Sequence, residues 1–331
     1  MAGVVQLVAL GAQDKFLTEN PTVSFFRQKY NHHTNFSMTT KKMVIQGTQA
    51  IGQTSIIKVD HTGDLLAGIR LVATNDHLNT VVASRANWET DIESVELLIG
   101  DQVIDTHTTD FARDIAPDVL ANTVGASDLA TQVDQFYPLR FSCFEHFSSA
   151  LPIIALQYHD VRIRINWGTT VNYAIEAYAS WIHLDTVERT FFAENDLTYI
   201  ITQVQKATAA ASGSKIQDLM FNGPVKFLVM NDKAGGAAFF NTTNKMKLQV
   251  NGVDLEDYTW VVPNFTSMTS AYHAPFSAGN TSSFMLYPFC LNTSSHQPSG
   301  SLNFSRLDSV RLFSEKEDIT EDIYGVSYKD K

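Results

Sequence analysis

Cysteine is scarce in this chain of 331 residues, in which only Cys143 and Cys290 occur. Two cysteines cannot build a disulfide framework, so we expect both thiols to be reduced and buried among aromatic residues. Long apolar runs are absent too, because no window reaches the roughly 18 to 20 apolar residues that span a bilayer. The N-terminus lacks the basic start and long apolar core of a secretory signal, so we expect synthesis in the cytosol.

Positive charge is also in short supply. The chain has 24 Lys and Arg against 35 Asp and Glu, a net charge of -11. A protein without a global positive field is a poor ligand for phosphate backbones, so we predict no direct contact with nucleic acid. Residues 1–42 are the exception, because they contain five basic and two acidic residues, which gives a net charge of 5 − 2 = +3. This excess fits either a solvated arm or contact with an anionic membrane.

Motifs for catalysis and metal binding are missing. The chain has no Ser nucleophile elbow, no phosphate-binding glycine loop and no His-Glu-x-x-His motif. His32 and His33 are adjacent, but no further ligand follows at zinc-like spacing. The sequence therefore predicts no catalytic residue, no cofactor and no metal site, and we expect a protein that is not an enzyme.

Short runs of alternating apolar and polar residues dominate what is present. In one of them Val161, Ile163 and Ile165 alternate with Arg162 and Arg164. A period of two places the apolar side chains on one face, which is typical of a half-buried antiparallel strand. Because Gly, Asn, Asp and Pro separate such runs, we predict a mainly β protein.

This strand pattern occurs twice along the chain. Three landmarks recur in the same order: apolar runs that meet at Gly63 and at Gly223, tight turns at Gly100-Asp101 and at Asn251-Gly252, and apolar runs (Leu139, Phe141, Cys143 and Met285, Tyr287, Phe289) before Pro152 and Pro298. The offsets are 223 − 63 = 160, 252 − 100 = 152 and 298 − 152 = 146 residues. We interpret the first two landmarks as hairpins and the third as a strand. The sequence therefore predicts two β-sandwiches of one topology in tandem.

The repeat suggests where the domains lie. We predict an N-terminal arm over residues 1–35, a first sandwich over residues 36–190 and a second over residues 191–331. The boundary falls in the polar stretch between the predicted strands at Trp181–Leu184 and Tyr199–Ile201.

Residues 105–135 interrupt the β pattern. They contain more helix formers and have no short counterpart in the second copy, so we expect a partly helical insertion that projects from the first sandwich. Asp105, His107 and Asp110 form a polar cluster at its start. We assign them to the insertion rather than to acid–base chemistry.

The arm contains a helix-start signal. Asn20 precedes Pro21, and proline at an early helical position costs little because its missing N–H has no partner there. Phe26 and Tyr30 are four residues apart and would share one helical face. We expect this short helix to dock either on a partner copy or on its own sandwich.

Four stretches resemble the major capsid proteins of nucleocytoplasmic large DNA viruses, of the chlorella-virus and iridovirus kind. They are Gly11–Tyr30 with Thr34–Phe36, Ala150–Val161, Leu184–Thr190 and Gln297–Asp308. The stretches extend from near the start of the chain almost to its end, and their joint occurrence is a specific signal.

The resemblance implies a double jelly roll, with two tandem eight-stranded antiparallel sandwiches. It also implies a homotrimer of pseudo-hexagonal outline that tiles an icosahedral shell over an internal viral membrane, with the arm on the inner side. The implied partners are further copies, neighbouring capsomers and minor capsid proteins. The implied location is the virion, after assembly in the host cytoplasm.

The matching positions give two sets of candidate residues. The assembly set, in the arm, is Asn20, Pro21, Phe25, Phe26 and Tyr30. The structural set, in the family stretches, is Pro152, Leu156, Tyr158, Glu188, Arg189, Pro298, Gly300, Asn303, Ser305, Arg306 and Asp308. Two alternatives stay open: a minor capsid protein of the same fold, and a carbohydrate-binding or cupin-like sandwich that uses exposed aromatics such as Trp88 and Trp260.

Overall fold

The computed structural model describes residues 11–75, 80–81, 88–120, 136–171, 173–210, 213–232, 237–275 and 284–330. The chain divides into two compact units, Met1–Asn35 and Phe36–Lys331. Across the described ranges, no helix is long and apolar enough to cross a membrane.

Residues 11–35, the described part of the first unit, contain one helix, α1 (Ala12–Thr18). The prediction of a helix that begins at Asn20 is therefore wrong. Asn20 has a left-handed φ of 55°, a conformation that ends helices, and proline is common just after such an end because it cannot continue the helix. The Asn-Pro pair is thus the stop signal of α1. Phe26 and Tyr30 lie in irregular backbone and share no helical face.

The described strands between Phe36 and Leu184 form two sheets. They are β1 (Phe36–Met43), β2 (Ile45–Gln46), β3 (Thr54–Lys58), β4 (Leu65–Asn75), β5 (Thr80–Val81), β6 (Ile92–Ile99), β7 (Gln102–Thr108), β8 (Phe136–Pro138), β9 (Leu151–Pro152), β10 (Val161–Trp167) and β11 (Ala174–Leu184). One sheet has the order β1-β11-β4-β5, with β8 and β9 also paired to β4, and the other has the order β2-β3-β10-β6-β7. The alternation of β10 is confirmed, because Val161, Ile163 and Ile165 all lie in the core between the sheets.

The described strands between Ile200 and Asp330 form a second pair of sheets. They are β12 (Ile200–Ala207), β13 (Ile216–Asp218), β14 (Pro224–Asn231), β15 (Lys245–Val250), β16 (Val253–Asp254), β17 (Thr259–Trp260), β18 (Phe284–Pro288), β19 (Leu302–Asn303), β20 (Val310–Ser314) and β21 (Ile323–Asp330). One sheet has the order β12-β21-β14-β18, with β19 paired to β14. The other has the order β13-β20-β15-β16, with β17 paired to β15.

The two pairs of sheets have the same strand order. The series β1-β11-β4 corresponds to β12-β21-β14, and β3-β10-β6-β7 corresponds to β13-β20-β15-β16. This is the arrangement of two jelly rolls, each with eight strand positions. The higher strand totals arise because some positions are split, as in β8 with β9 and β18 with β19. The prediction of two tandem jelly-roll sandwiches is confirmed.

Of the three sequence landmarks, one pair of hairpins is real. The turns at Gly100-Asp101 and Asn251-Gly252 join β6 to β7 and β15 to β16, and all four residues have positive φ between 50° and 79°, as type I′ turns require. The runs that meet at Gly63 and Gly223 are not hairpins, because β3 and β4, like β13 and β14, lie in different sheets. Strand composition alone does not reveal which sheet a strand joins.

The third landmark corresponds in order but not in register. Pro152 pairs with Leu65, and the equivalent partner of Pro224 is Asn303, so the structural offset is 303 − 152 = 151 rather than 146. The first-copy strand is β8, and Leu139, Phe141 and Cys143 follow it in irregular and helical backbone. Those apolar residues enter the core without forming a strand.

The remaining elements are short helices and turns. The helices are α2 (Trp88–Asp91), α3 (Ala116–Val119), α4 (Ser142–Glu145), α5 (Thr186–Glu194) and α6 (Thr269–His273), with π-helical turns at Phe111–Ile115 and Val261–Met268 and 3-10 turns at Phe147–Ser149, Ile153–Ala155, Ala238–Phe240 and Phe304–Arg306. The polar stretch predicted as a connector is α5, which begins after Asp185, whose carboxylate accepts a hydrogen bond from the N–H of Thr186.

Candidate assembly site

The two sandwiches share an apolar interface. The segment Phe111–Leu120, called the wedge below, follows β7 of the first sandwich. Five of its buried apolar side chains pack against the second sandwich: Phe111, Ile115, Ala116, Val119 and Leu120. They pack against Phe227, Val229, Phe284, Leu286, Cys290, Tyr324 and Val326 on β14, β18 and β21 and just beyond β18. The prediction of a partly helical segment is confirmed for residues 111–119. The prediction that it projects from the first sandwich is wrong for residues 105–120, because the segment packs against the second sandwich. Residues 121–135 lie outside the described ranges.

The wedge also has a counterpart in the second copy, which the sequence interpretation missed. After β17 the chain again forms a π-helical turn, Val261–Met268, and then a short helix, α6. The wedge has the same order of elements, Phe111–Ile115 followed by α3. Each sandwich therefore carries such a segment at the same place in its topology.

A sequence signal for the interface exists in β14. This strand reads Val-Lys-Phe-Leu-Val-Met without alternation, and every one of those residues is buried. An apolar run of this kind indicates burial on both faces of a sheet. Leu228 and Met230 enter the core of the second sandwich, whereas Phe227 and Val229 face the wedge.

Polar contacts line the same interface. Hydrogen bonds that join the two sandwiches include Thr108 Oγ1 with Tyr324 Oη at 3.0 Å, Thr293 Oγ1 donating to Val119 O at 2.9 Å, Gln203 Nε2 donating to Ile104 O at 2.8 Å and Thr202 N donating to Ser142 Oγ at 3.1 Å. Gln203 and Thr202 lie on β12, which runs beside β7. The interface is therefore hydrogen-bonded at its rim and apolar at its centre.

Asp105 is a structural residue of this rim. Its carboxylate contacts His107 Nε2 at 2.7 Å and accepts hydrogen bonds from the N–H of Thr106 and, at 3.0 Å, from the N–H of Val204 in the other sandwich. Asp105 and His107 are both buried. They lie within β7 rather than in the insertion, and the contact with Val204 makes Asp105 a link between the sandwiches.

Lys226 is a buried cation near this interface. Its Nζ donates to Ser295 O at 3.0 Å and lies 5.5 Å from the centre of the Tyr328 ring. Burial lowers the pKa of Lys226 from 10.5 to about 8. The rings of His146 and His296 lie 5.2 Å apart close by, and burial, followed by the charges of His146 and Lys226, lowers the pKa of His296.

Replacing Lys226 with methionine should stabilise the protein at neutral pH. The pKa of Lys226 is higher in the unfolded chain than in the fold. The charged ammonium therefore lowers the free energy of unfolding of the wild type, by the full amount below about pH 8. Lys226→Met should therefore raise the free energy of unfolding at pH 7 by on the order of 1–3 kcal/mol, since hydrogen bonds offset part of the burial cost. The gain should shrink as pH rises from 8 towards 10.5.

Denaturant unfolding of both proteins across that pH range measures this difference. The exposed Lys58→Met is the matched control, which should change the free energy of unfolding at pH 7 by less than about 1 kcal/mol. A Lys226→Met protein that is less stable than the wild type at pH 7 would contradict the prediction.

The first copy of the family stretch links strand β9 to strand β10. Pro152 is buried in β9 and Leu156 packs against the core, whereas the side chain of Tyr158 is 94% exposed. Near the end of the stretch, the carbonyl of Asp160 accepts a hydrogen bond from the N–H of Gly100 at 2.9 Å. The stretch therefore holds the tip of the β6–β7 hairpin.

The second copy of the stretch does the same in the second sandwich. Asn303 Oδ1 accepts a hydrogen bond from Ser305 N, and Ser305 Oγ accepts one from Gly223 N at 2.7 Å. The N–H of Asp308 donates to Asn251 Oδ1 at 2.9 Å, which fixes the β15–β16 turn. Pro298 and Arg306 are exposed. Gly300, with φ of 136°, lies against the backbone of Phe289.

The stretch between the sandwiches contributes one ion pair. Arg189 Nε, on α5, lies 3.0 Å from Asp64 Oδ1, and the other oxygen of Asp64 accepts the N–H of Leu184 at 2.8 Å. Glu188 is half-buried on the same helix. The family-motif residues are thus spread over several sheet ends and do not meet in one pocket, which suits structural roles.

The arm residues remain a predicted assembly set. Asn20 ends α1 and Pro21 follows it, while Phe25, Phe26 and Tyr30 are 92%, 99% and 75% exposed. Aromatic side chains exposed to this degree lose the stabilisation that burial would give them. The arm therefore has the composition of a segment that binds a partner.

The structure bears on the predictions for the thiols and for carbohydrate binding. Cys143 and Cys290 are buried free thiols, as predicted. Trp88 was expected to be exposed for carbohydrate binding, but it is fully buried and packs beside Tyr137, so that expectation is wrong. Within the described ranges, no cluster of His, Cys, Asp or Glu is arranged to hold a metal ion.

The fold is shared with viral capsid proteins of known structure. The capsid structure of PBCV-1 superposes with a TM-score of 0.73 at 22% sequence identity, over 93% of this chain and 97% of that one. The Faustovirus major capsid protein superposes with a TM-score of 0.61 at 10% identity, over 97% of this chain and 93% of that one. The two sandwiches therefore place the chain in the double jelly-roll class found in these capsids.

Sequence comparison then gives the family. Residues 24–190 match the major capsid protein N-terminus, and residues 188–330 match the large eukaryotic DNA virus major capsid protein. The major capsid protein of Pyramimonas orientalis virus is 30% identical over 98% of this chain and 95% of its own length. That of Paramecium bursaria Chlorella virus 1 is 29% identical over 94% of this chain and 86% of its own length. The chain belongs to the major capsid protein family of large eukaryotic DNA viruses. It is a structural component of the virion capsid and not an enzyme.

Proposed function

We propose that three copies of this protein associate into a homotrimeric capsomer of pseudo-hexagonal outline, and that such capsomers tile an icosahedral shell. The observation that carries this proposal is that two sandwiches of the same strand order occur within one compact unit. Three chains with two lobes each give six similar lobes. A threefold particle can then present nearly equivalent edges to six neighbours, so one kind of edge contact serves the whole lattice.

The proposal divides the chain into an arm over residues 1–35, a jelly roll over residues 36–190 and a second jelly roll over residues 191–331. The helix α5 contains the boundary, since it leads from β11 towards β12. We assign the arm to the inner side of the shell. There its exposed aromatic side chains would contact minor capsid proteins or an internal viral membrane.

Assembly would take place in the host cytoplasm through contacts between copies and with neighbouring capsomers. The net charge of -11 supports protein contacts rather than direct contacts with the viral DNA.

Sedimentation of the purified protein tests the trimer. We expect a particle of 3 × 36.8 = 110.4 kDa and, in purified virions, a protein band more abundant than any other. A stable 36.8 kDa monomer that is absent from virions would contradict the proposal. A trimer present at low abundance would instead indicate a minor capsid protein of the same fold.

A further inference from the structure

We propose that a small cavity between the two sandwiches binds a monatomic anion, with chloride as its ordinary occupant. Three basic side chains line this cavity: His146 of the first sandwich, and Lys226 and His296 of the second. The site lies within one chain, so the inference goes beyond the proposed trimer and does not depend on it.

Lys226 brings a positive charge into the interface without a matching negative charge. It is 2% exposed, and its Nζ donates a hydrogen bond to Ser295 O at 3.0 Å. Within the described ranges, no carboxylate forms an ion pair with this ammonium. Burying a charge is costly unless that charge is paired, and the Tyr328 ring, with its centre 5.5 Å from Nζ, provides only part of the compensation. An anion in the cavity would balance the charge.

The pKa of Lys226 agrees with this description. Burial lowers the pKa from 10.5 to about 8, and the group that opposes this effect is the Cys290 thiol rather than a carboxylate. The ammonium is still the main form at pH 7, which lies below that pKa. A bound anion would raise the pKa again, because a nearby opposite charge favours the charged form.

The two histidines add donors on either side of the same cavity. The centres of the His146 and His296 rings lie 5.2 Å apart. The Nε2 atom of His146 is buried and has no hydrogen-bond partner among the described residues. Buried polar atoms are nearly always hydrogen-bonded, so an unpartnered one points to a small bound species. When Nε2 carries its proton, it donates to an acceptor in the cavity and not to a cation.

Glu145 is the acidic residue that lines this cavity. Its Oε1 lies 3.9 Å from Arg140 Nη1, and both side chains are buried. Burial lowers the pKa of Arg140 and the charge of Glu145 raises it, whereas Glu145 is not among the groups that shift the pKa of Lys226. Arg140 therefore offsets the charge of Glu145, and the charge of Lys226 stays unbalanced.

The size of the cavity restricts the occupant. Its volume is about 20 Å³, and roughly 10–15 Å³ is enough for one sphere of the size of a water molecule. A monatomic anion fits such a space, whereas phosphate or sulfate does not. Water would satisfy the donors, but it would not supply the negative charge that Lys226 lacks. The combination of size and charge therefore favours chloride.

An anion at this place would strengthen the contact between the sandwiches, because donors from both would share it. A ligand that binds the fold and not the unfolded chain stabilises the fold by mass action. The advantage expected above for Lys226→Met should therefore be largest in a buffer without chloride, where the wild type carries the unbalanced charge.

Unfolding in urea at different chloride concentrations tests the site. The measurements are made at pH 7, at one protein concentration and at constant ionic strength, with gluconate, which is too large for the cavity, in place of chloride. The unfolding equilibrium constant of the wild type should fall about ten-fold between no chloride and about 200 mM chloride, as expected for a dissociation constant of about 20 mM.

Two variants and two matched controls show whether this response comes from the cavity. The response should fall below about two-fold in Lys226→Met, which removes the charge, and below about three-fold in His146→Leu, which removes a donor. The exposed changes Lys58→Met and His61→Leu should keep the full response of the wild type. A wild type that does not respond to chloride, or a Lys226→Met protein that responds as the wild type does, would overturn the inference.

Bromide locates the anion directly, because its anomalous scattering distinguishes it from water. Crystals of the wild type in sodium bromide should show an anomalous peak in the cavity, within hydrogen-bond distance of Lys226 Nζ, and crystals of Lys226→Met should not. A peak in both proteins, or a peak in a wild type whose stability ignores chloride, would mean an adventitious ion only and would contradict the proposed site.

Discussion

Replacing Phe111 with alanine should lower the free energy of unfolding by about 3–5 kcal/mol, the range measured for large-to-small changes of buried phenylalanine. Phe111 is fully buried at the interface between the sandwiches, where its ring lies 5.5 Å from the ring of Tyr324 and 5.4 Å from that of His107. Alanine would leave a cavity that neither sandwich can fill, because the wedge is held at both ends.

The same substitution should also change how the protein unfolds. The wedge is the main apolar contact between the sandwiches, so its loss weakens their coupling and leaves each with its own core. We expect the wild type to unfold in one transition in denaturant and Phe111→Ala to unfold in two, since weakly coupled domains unfold independently. Tryptophan fluorescence reports the first sandwich through Trp88, Trp167 and Trp181, and Trp260 reports the second.

Phe147→Ala is the matched control for this prediction. Phe147 belongs to the same sandwich, but its side chain is 54% exposed. Its removal should cost less than about 1 kcal/mol because surface changes have small effects. Equal losses for Phe111→Ala and Phe147→Ala would show that the wedge does not couple the sandwiches.

Replacing Gly300 with alanine should cost about 3 kcal/mol, because two separate penalties add. Gly300 has a φ of 136°, a conformation that side chains with a Cβ rarely adopt. A Cβ at this position would also lie 2.7 Å from Phe289 O and 3.3 Å from Cys290 Cα, which are backbone atoms just after β18. The stretch that leads into β19 would have to move away from the sheet.

Gly252→Ala separates the two penalties. Gly252 also has a positive φ, 79°, but no atom lies within 4 Å of the position of its Cβ. The backbone penalty alone should cost about 1–2 kcal/mol. Chemical denaturation of the two variants therefore isolates the steric cost at Gly300. If Gly300→Ala is no less stable than Gly252→Ala, the close approach to Phe289 is not a constraint.

The strands and tight turns could be predicted from the sequence because their causes are local. Alternation in β10 follows from one buried face, and the positive φ of Gly100-Asp101 and Asn251-Gly252 follows from residues that tolerate it. The duplication was visible because these local patterns recur in order. The sheet to which each strand belongs could not be predicted. A glycine-containing turn has the same composition whether it joins two strands of one sheet or strands of two different sheets.

The interface between the sandwiches was missed because its cause is tertiary. The helix formers of the wedge predict a partly helical insertion, and nothing local states which surface covers its apolar side chains. The continuous run in β14 indicated that some element covers this strand from outside, but not which one. Only the fold shows that the apolar side chains of the wedge pack against the outer face of β14.

Two further predictions, for Asn20-Pro21 and for Trp88, were wrong. Asn-Pro occurs both before helices and after them, and the left-handed Asn20 decides for the end of α1. Trp88 was expected to be exposed, yet α2 places it in the core. The assembly residues of the arm stay a prediction, because their role depends on partners rather than on the fold.

Electron cryomicroscopy of the purified protein tests the central claim most directly. We expect particles with threefold symmetry and six lobes of similar size, in which lobes of the first and second sandwich alternate around the ring. Particles with three lobes, or a ring in which the two sandwiches of a chain do not occupy equivalent positions, would contradict the account.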